Sequence, residues 1–320
     1  MAGEAGWRVL FLDMQRCGLF MGRTIFRECE MSEILYETPK TLEAAVALLS
    51  GANGRARVLA GGTDLLIQMR GGRVEPALLV DIKGIPDMRS IVDENGAFRF
   101  GAAVTCMELI EHEAFAKTWP GLTDAVKLIG SVQVKGRATV GGNLCNASPA
   151  ADSVPALIAA GAVASIVGPG GRREARVEDV AMGPGKTSLA KGEIIASFLL
   201  PRRPPRSGDA YLRFTPRTEM DIAVVGVGIN LTLDEKGVCI QARVSLGAVA
   251  ERALLVPEAA AALIGTKVDA DALKRLAAAA SGACRPIDDK RGTKEFRIKI
   301  AGVLARRAAA IALDRAGRKS

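Results

Sequence analysis

Two double-glycine turns, each entered from β-prone residues, constrain this chain more than any other feature. The first is Val58-Leu59-Ala60-Gly61-Gly62-Thr63-Asp64-Leu65, and the second is Thr139-Val140-Gly141-Gly142-Asn143. Paired glycines let successive backbone N–H groups converge on an anion without interference from a Cβ, and Thr63 adds a hydroxyl donor. Asn143 brings both an amide donor and an acceptor, and Ala147-Ser148-Pro149-Ala150-Ala151-Asp152 follows it with a carboxylate suited to a ribose hydroxyl. Read singly, each is also an ordinary turn, with Asp64 or Asp152 capping the helix that follows. Two such turns in one chain fit a dinucleotide whose pyrophosphate is held from two sides.

Other nucleotide signatures fail. No G-x-G-x-x-G occurs, so the Rossmann fingerprint is missing. Gly185-Lys186-Thr187 imitates the end of a P-loop, but Val180 stands where its first glycine is required. The one histidine, His112, excludes a His-rich metal site and argues against a Ser-His-Asp triad. The six cysteines, Cys17, Cys29, Cys106, Cys145, Cys239 and Cys284, form no C-x-x-C and no close pair, so neither a disulfide framework nor an iron–sulfur ligand set is expected. Scattered thiols and the lack of an apolar run of about 18 residues lead to the expectation of a cytoplasmic protein with no membrane span.

The order of elements reads as mixed α and β. Strands are expected at 57–60, 77–82, 97–104, 163–167, 194–200, 210–214, 222–233 and 238–246. Helices are expected from Leu42, at 105–117 and 122–129, and then at 258–264, 271–280 and 293–316. The Pro201, Pro204, Pro205 and Gly208 run marks a domain boundary, giving a domain over 31–205 and another over 206–320. Residues 1–30 show neither period nor cap; they read as an extension outside the fold or as the product of an upstream start codon.

Of the net charge of +8, +7 lies in residues 285–320, with eleven Lys or Arg against four Asp or Glu. Phe296, Ile300, Val303, Leu304 and Ile311 recur there at helical spacing, so the basic residues are expected on a solvated or partner-facing side. No aromatics interleave with the charges, and no nucleic-acid partner is expected.

The succession AGGTDL, GSVQVKGRATVGGN, ASPAAD and YLRFTPRTEMDIAVVG resembles the FAD-binding medium subunits of the molybdenum hydroxylases, among them those of carbon monoxide dehydrogenase, xanthine dehydrogenase and 4-hydroxybenzoyl-CoA reductase. The likeness runs from Met31 to about Ala316 and includes the C-terminal RGTKEFRIKIAGVLARRA. It implies an α+β chain: a p-cresol-methylhydroxylase-type FAD-binding fold of two α/β subdomains, followed by a C-terminal domain of sheet and helices. It implies non-covalent FAD with the pyrophosphate on Val58 through Leu65 and Thr139 through Asn143, and Asp152 on the cofactor. Ile195 would lie near the ring system, Arg213 stands where several relatives have lysine, and Ile129 where some xanthine dehydrogenases place an aromatic.

The resemblance further implies a molybdenum-binding large subunit and an iron–sulfur small subunit as partners, in a dimer of heterotrimers. The molybdenum cofactor and two-iron clusters would reside on those partners, and this chain would pass electrons to an external acceptor. Two alternatives are a stand-alone FAD-dependent oxidoreductase of the same fold and a non-catalytic basic binding module.

Overall fold

The structure is a computed structural model that describes residues 7–10 and 33–317. The first lobe comprises β1 (Trp7–Leu10), β2 (Glu33–Glu37), α1 (Leu42–Gly51), β3 (Ala56–Leu59), α2 (Leu65–Arg70) and β4 (Leu78–Asp81). Thr41 caps α1 by accepting from the Ala44 N–H, and Leu42, Ala45, Val46 and Leu49 face inward at the spacing of one helix face. The sheet order is β1-β2-β4-β3, with β4 parallel to both β2 and β3. Every residue of β4 is buried, as befits a central parallel strand.

The strand β1 lies within the segment expected to stay outside the fold and pairs antiparallel with β2. The rest of residues 1–30 lies outside the described residues.

The second lobe holds β5 (Ile91–Glu94), β6 (Ala97–Gly101), α3 (Cys106–Glu111), α4 (Glu113–Thr118), α5 (Pro120–Lys127), α6 (Val132–Lys135), α7 (Val140–Cys145) and α8 (Ser153–Ala160). It continues with β7 (Val163–Gly168), β8 (Gly171–Arg176), β9 (Ala181–Gly183), β10 (Lys186–Thr187) and β11 (Ile194–Leu200). Five strands form an antiparallel sheet ordered β5-β6-β11-β7-β8, with β9 and β10 as a separate ribbon.

The single helix expected over 105–117 is two helices. His112 ends α3 with an extended backbone and then caps α4, its Nδ1 accepting from the Phe115 N–H at 3.2 Å. Phe98, Phe100, Phe115 and Phe198 pack together inside this lobe, with Phe100 stacked on Phe198 at 5.3 Å.

The C-terminal part is an antiparallel sheet of β12 (Ser207–Phe214), β13 (Val225–Leu233), β14 (Cys239–Gly247) and β15 (Leu254–Leu255), with α9 (Pro257–Ala261), α10 (Ala270–Ala283) and α11 (Lys294–Gly317). One hydrophobic core runs from Leu42 to Leu200 and recruits Tyr211 and Ala253; a second runs from Ala210 to Ala316. Residues 201–206, the proline run, carry the chain between the two cores without regular structure beyond a turn.

The expected apolar stripe of α11 is corrected. Phe296 is exposed and Ile300, Val303 and Ile311 are half-buried; the buried face is Ala301, Leu304, Ala305, Ala308, Ala309, Ala312 and Ala316, with Arg297. Small residues are required because the helix lies directly on the sheet: a Cβ on Gly208 of β12 would stand 2.0 Å from the Ala312 carbonyl oxygen.

Candidate functional site

The first glycine turn joins β3 to α2. Gly62 has φ +78°, a left-handed conformation that L side chains rarely adopt. The turn is anchored from below: Lys83 donates through Nζ to the Ala60 carbonyl at 3.0 Å and pairs with Asp81 Oδ2 at 2.7 Å. Tyr36 donates its phenolic proton to the same Asp81 oxygen. Burial raises the Asp81 carboxyl, but the hydrogen bonds from Lys83 and Tyr36 outweigh it and hold it below the usual carboxylate value. Among the described residues, the backbone N–H groups of Gly61, Gly62, Thr63 and Asp64 have no acceptor. They form a half-open row of donors, the arrangement that receives an anion.

The second turn opens α7. Thr139 Oγ1 accepts from the Gly142 N–H at 3.0 Å, and Val140 and Leu144 are buried beneath. Asn143 is oriented by Ser153, whose hydroxyl and N–H both donate to its Oδ1, at 2.6 and 3.3 Å. The Asn143 amide group thereby has its carbonyl side occupied and its N–H₂ side left to donate.

The two turns belong to different lobes and face one another across a cleft of about 550 Å³. Val58, Ala60, Gly61, Gly62, Thr63, Asp64, Leu65, Thr139, Gly141, Gly142, Asn143 and Ile195 all line it, as does Ile129. Leu59 and Val140 are buried behind the lining. The glycines also serve packing: a Cβ on Gly61 would meet the Arg137 carbonyl oxygen of the other lobe at 1.9 Å, and one on Gly141 the Ala102 carbonyl oxygen within its own lobe at 2.5 Å. Gly142 has more room, with only Thr139 Oγ1 at 3.0 Å.

Sequence reasoning overlooked several contributors. Gln68 of α2 donates to Asn146 Oδ1 at 2.8 Å, tying the lobes together along the cleft. Gly185 and Thr187, discarded as a P-loop imitation, line its wall with Leu189 and Lys191. Cys145 is accessible along the wall yet ringed by protein, and that burial pushes its thiol up to about 12.

Asp152 and Arg213 are not on the cleft lining. Asp152 accepts from Arg213 Nη1 at 2.6 Å and from the Tyr211 hydroxyl at 2.7 Å, so both carboxylate oxygens are engaged within the protein. It does not cap α8 either; its backbone is already helical and its side chain makes no cap bond. Burial raises the Asp152 carboxyl, against the opposing pull of Arg213 and Tyr211. Tyr211 and Arg213 alternate along β12 and so share one face of the strand, the one signal in the sequence that places them together. Asp152 thus fastens the end of the second lobe to the C-terminal sheet, one residue from the Ser153 that orients Asn143.

The family model described as the FAD binding domain in molybdopterin dehydrogenase covers residues 28–203, and that of the CO dehydrogenase flavoprotein C-terminal domain covers 210–312. The chain belongs to this family: it is an FAD-binding medium subunit of the molybdenum hydroxylase type, an oxidoreductase subunit with the α+β fold that the motifs imply. The carbon monoxide dehydrogenase medium chain of Afipia carboxidovorans is 34% identical over 88% of this chain and 97% of its own length. A putative xanthine dehydrogenase FAD-binding subunit of Escherichia coli is 30% identical over 89% of this chain and 97% of its own. A crystal structure of the Cu,Mo-CO dehydrogenase in its cyanide-inactivated form superposes with a TM-score of 0.84 at 34% identity, covering 88% of this chain and 97% of that one. No helix among the described residues is long and apolar enough to cross a membrane.

Proposed function

We propose that the cleft holds FAD non-covalently, with its pyrophosphate between the two glycine turns, and that the chain relays electrons within a cytoplasmic molybdenum hydroxylase complex. The observation that carries this reading is the row of unpaired N–H groups at Gly61 to Asp64, set opposite the Asn143 amide across one cleft. The donors are already fixed, by Lys83 under the first turn and by Ser153 beside the second, so little ordering remains when a diphosphate enters.

Bound FAD supplies redox chemistry able to join one-electron donors to a two-electron acceptor. This chain's residues bind, orient and shield. Ile129 and Ile195 offer apolar surface for a ring system, and the Gln68–Asn146 hydrogen bond holds the two lobes together along the cleft. Asp152, Tyr211 and Arg213 brace that end of the cleft through Ser153 and Asn143. The electrons would come from two-iron clusters on a small partner subunit, reduced in turn by a molybdenum-binding large subunit, in a dimer of heterotrimers. They would leave to an external acceptor.

The test is co-expression with the large and small subunits, followed by anaerobic reduction of the iron–sulfur subunit while flavin absorbance is monitored. Flavin bleaching that depends on the small subunit is expected. A chain that purifies without flavin, or whose flavin is reduced by a small substrate with no partner present, would overturn the relay.

A further inference from the structure

The cleft between the glycine turns runs along β3, whose Ala56, Arg57 and Val58 line it. Among the described residues, two side-chain hydrogen bonds join its lobes, one near each end of that strand. Just before β3, Lys191 donates through Nζ to Asn53 Oδ1 at 3.0 Å, an exposed contact. Beyond the other end of β3, past the first glycine turn, Gln68 Nε2 donates to Asn146 Oδ1 at 2.8 Å, and this bond is half-buried.

Gln68 and Asn146 stand in matching places beside the two turns. Gln68 follows Asp64 by one helical turn, its backbone N–H donating to the Asp64 carbonyl at 2.9 Å, so the two share a face of α2. Asn146 follows Asn143 by three residues, its backbone N–H donating to the Gly142 carbonyl at 2.9 Å, so those two share a face of α7. Both amides line the cleft, and the bond between them crosses it one helical turn from the open N–H row and from the Asn143 amide. Neither side chain makes another hydrogen bond among the described residues, so the crossing bond is what holds each in place. Both groups are uncharged, and the pair puts no further negative charge beside an anion.

We infer that Gln68 and Asn146 form a clasp that gates the cofactor: their bond opens for FAD to pass in either direction and is closed otherwise. The inference rests on the reading that FAD lies in this cleft with its diphosphate between the turns. Where the lobes meet at Gly61 and Arg137 they are packed too tightly even for a Cβ, so nothing passes there. The Lys191–Asn53 contact lies a strand's length from the turns, whereas the amide pair stands directly beside them. A diphosphate leaving the turns therefore meets the amide pair first.

The experiment measures FAD exchange on the full chain, comparing wild type with Gln68→Ala, Asn146→Ala and the double variant. Uptake is followed by flavin fluorescence on mixing flavin-stripped protein with FAD, and release by timed desalting of flavin-loaded protein. In each single variant both rate constants are expected to rise about two- to tenfold, the net worth of one hydrogen bond, with Kd moving less than either rate. The double variant should match the singles, because the same bond is lost in all three. The exchange Gln68→Asn/Asn146→Gln keeps the combined reach of the pair and should return both rates toward wild type. Faster release with unchanged uptake would make the amides direct cofactor ligands, and additive effects would make them independent of one another; either result overturns the clasp. Unchanged rates in a chain that binds FAD also overturn it, and leave the FAD reading standing. A wild-type chain that takes up no FAD overturns that reading and the clasp together.

Discussion

Gly61 and Arg137 approach so closely that a Cβ on the glycine would stand 1.9 Å from the arginine's carbonyl oxygen. The first glycine turn is therefore a joint between lobes as well as the proposed cradle for an anion. Gly142 differs, because its added Cβ would meet only the Thr139 hydroxyl at 3.0 Å. The two positions separate packing from binding.

Gly61→Ala should cost about 1–3 kcal/mol through overpacking and also deplete the flavin. Gly142→Val should deplete the flavin while leaving stability close to wild type. Urea denaturation and flavin-to-protein ratio on the purified variants check both. Equal loss of stability in the two would contradict the distinction.

Much of this cleft was legible in the chain itself, because both turns are contiguous in sequence and glycine states its backbone need directly. What joins them was not. Lys83 reaches Ala60 from beyond β4, and Gln68 meets Asn146 across 78 residues, contacts that only the folded topology creates. Asp152 shows the same limit: a carboxylate after a glycine turn suits a ribose, and the fold also brings Tyr211 and Arg213 to it, contacts that no local pattern announces. In α11 the large apolar residues drew attention, whereas the close approach to Gly208 selects alanines.

Asp152→Asn should be among the most destabilising single changes, at about 3–5 kcal/mol, since it leaves the buried Arg213 without its counter-charge. Tyr211→Phe removes one hydrogen bond and should cost about 0.5–1.5 kcal/mol. Thermal or urea unfolding of the two variants gives the order; a smaller effect for Asp152→Asn than for Tyr211→Phe would show that the ion pair is not the fastener.

Asp81 sets an acid limit on the first turn. Its folded pKa lies below the usual value, so its contribution is fully present above about pH 4, the unfolded carboxylate range, and is lost as pH falls through the lower folded value. Flavin release should therefore begin only below about pH 4 in the wild type. Asp81→Asn should weaken flavin retention at neutral pH and remove this part of the acid dependence. A release curve for the variant parallel to the wild type would exclude the Asp81–Lys83 support.

Cys145 is the thiol best placed to attach a flavin covalently, and it is poorly suited to do so. With its pKa pushed up to about 12 it is almost entirely protonated at neutral pH, and the thiolate is the reactive form. Acid precipitation should release all flavin colour to the supernatant, and Cys145→Ser should keep wild-type flavin content. Colour retained in the pellet would refute the non-covalent assignment.

The long C-terminal helix has two faces with opposite expectations. Arg306 and Arg307 are exposed, while Ala305, Ala308, Ala309 and Ala312 are buried. Arg306→Glu/Arg307→Glu should leave flavin content and monomer stability unchanged. Any weakening of assembly with partner subunits should be modest, because exposed ion pairs are worth about 0–1 kcal/mol. Ala312→Leu should instead destabilise by about 1–3 kcal/mol, because Ala312 is fully buried in the core between the helix and the sheet and a larger side chain overpacks it. Gel filtration with the partner subunits, flavin absorbance and urea unfolding on both variants decide the matter. Flavin loss on charge reversal would mean that the basic face supports the cofactor cleft directly. A large salt-sensitive change in nucleic-acid affinity would favour a binding module instead.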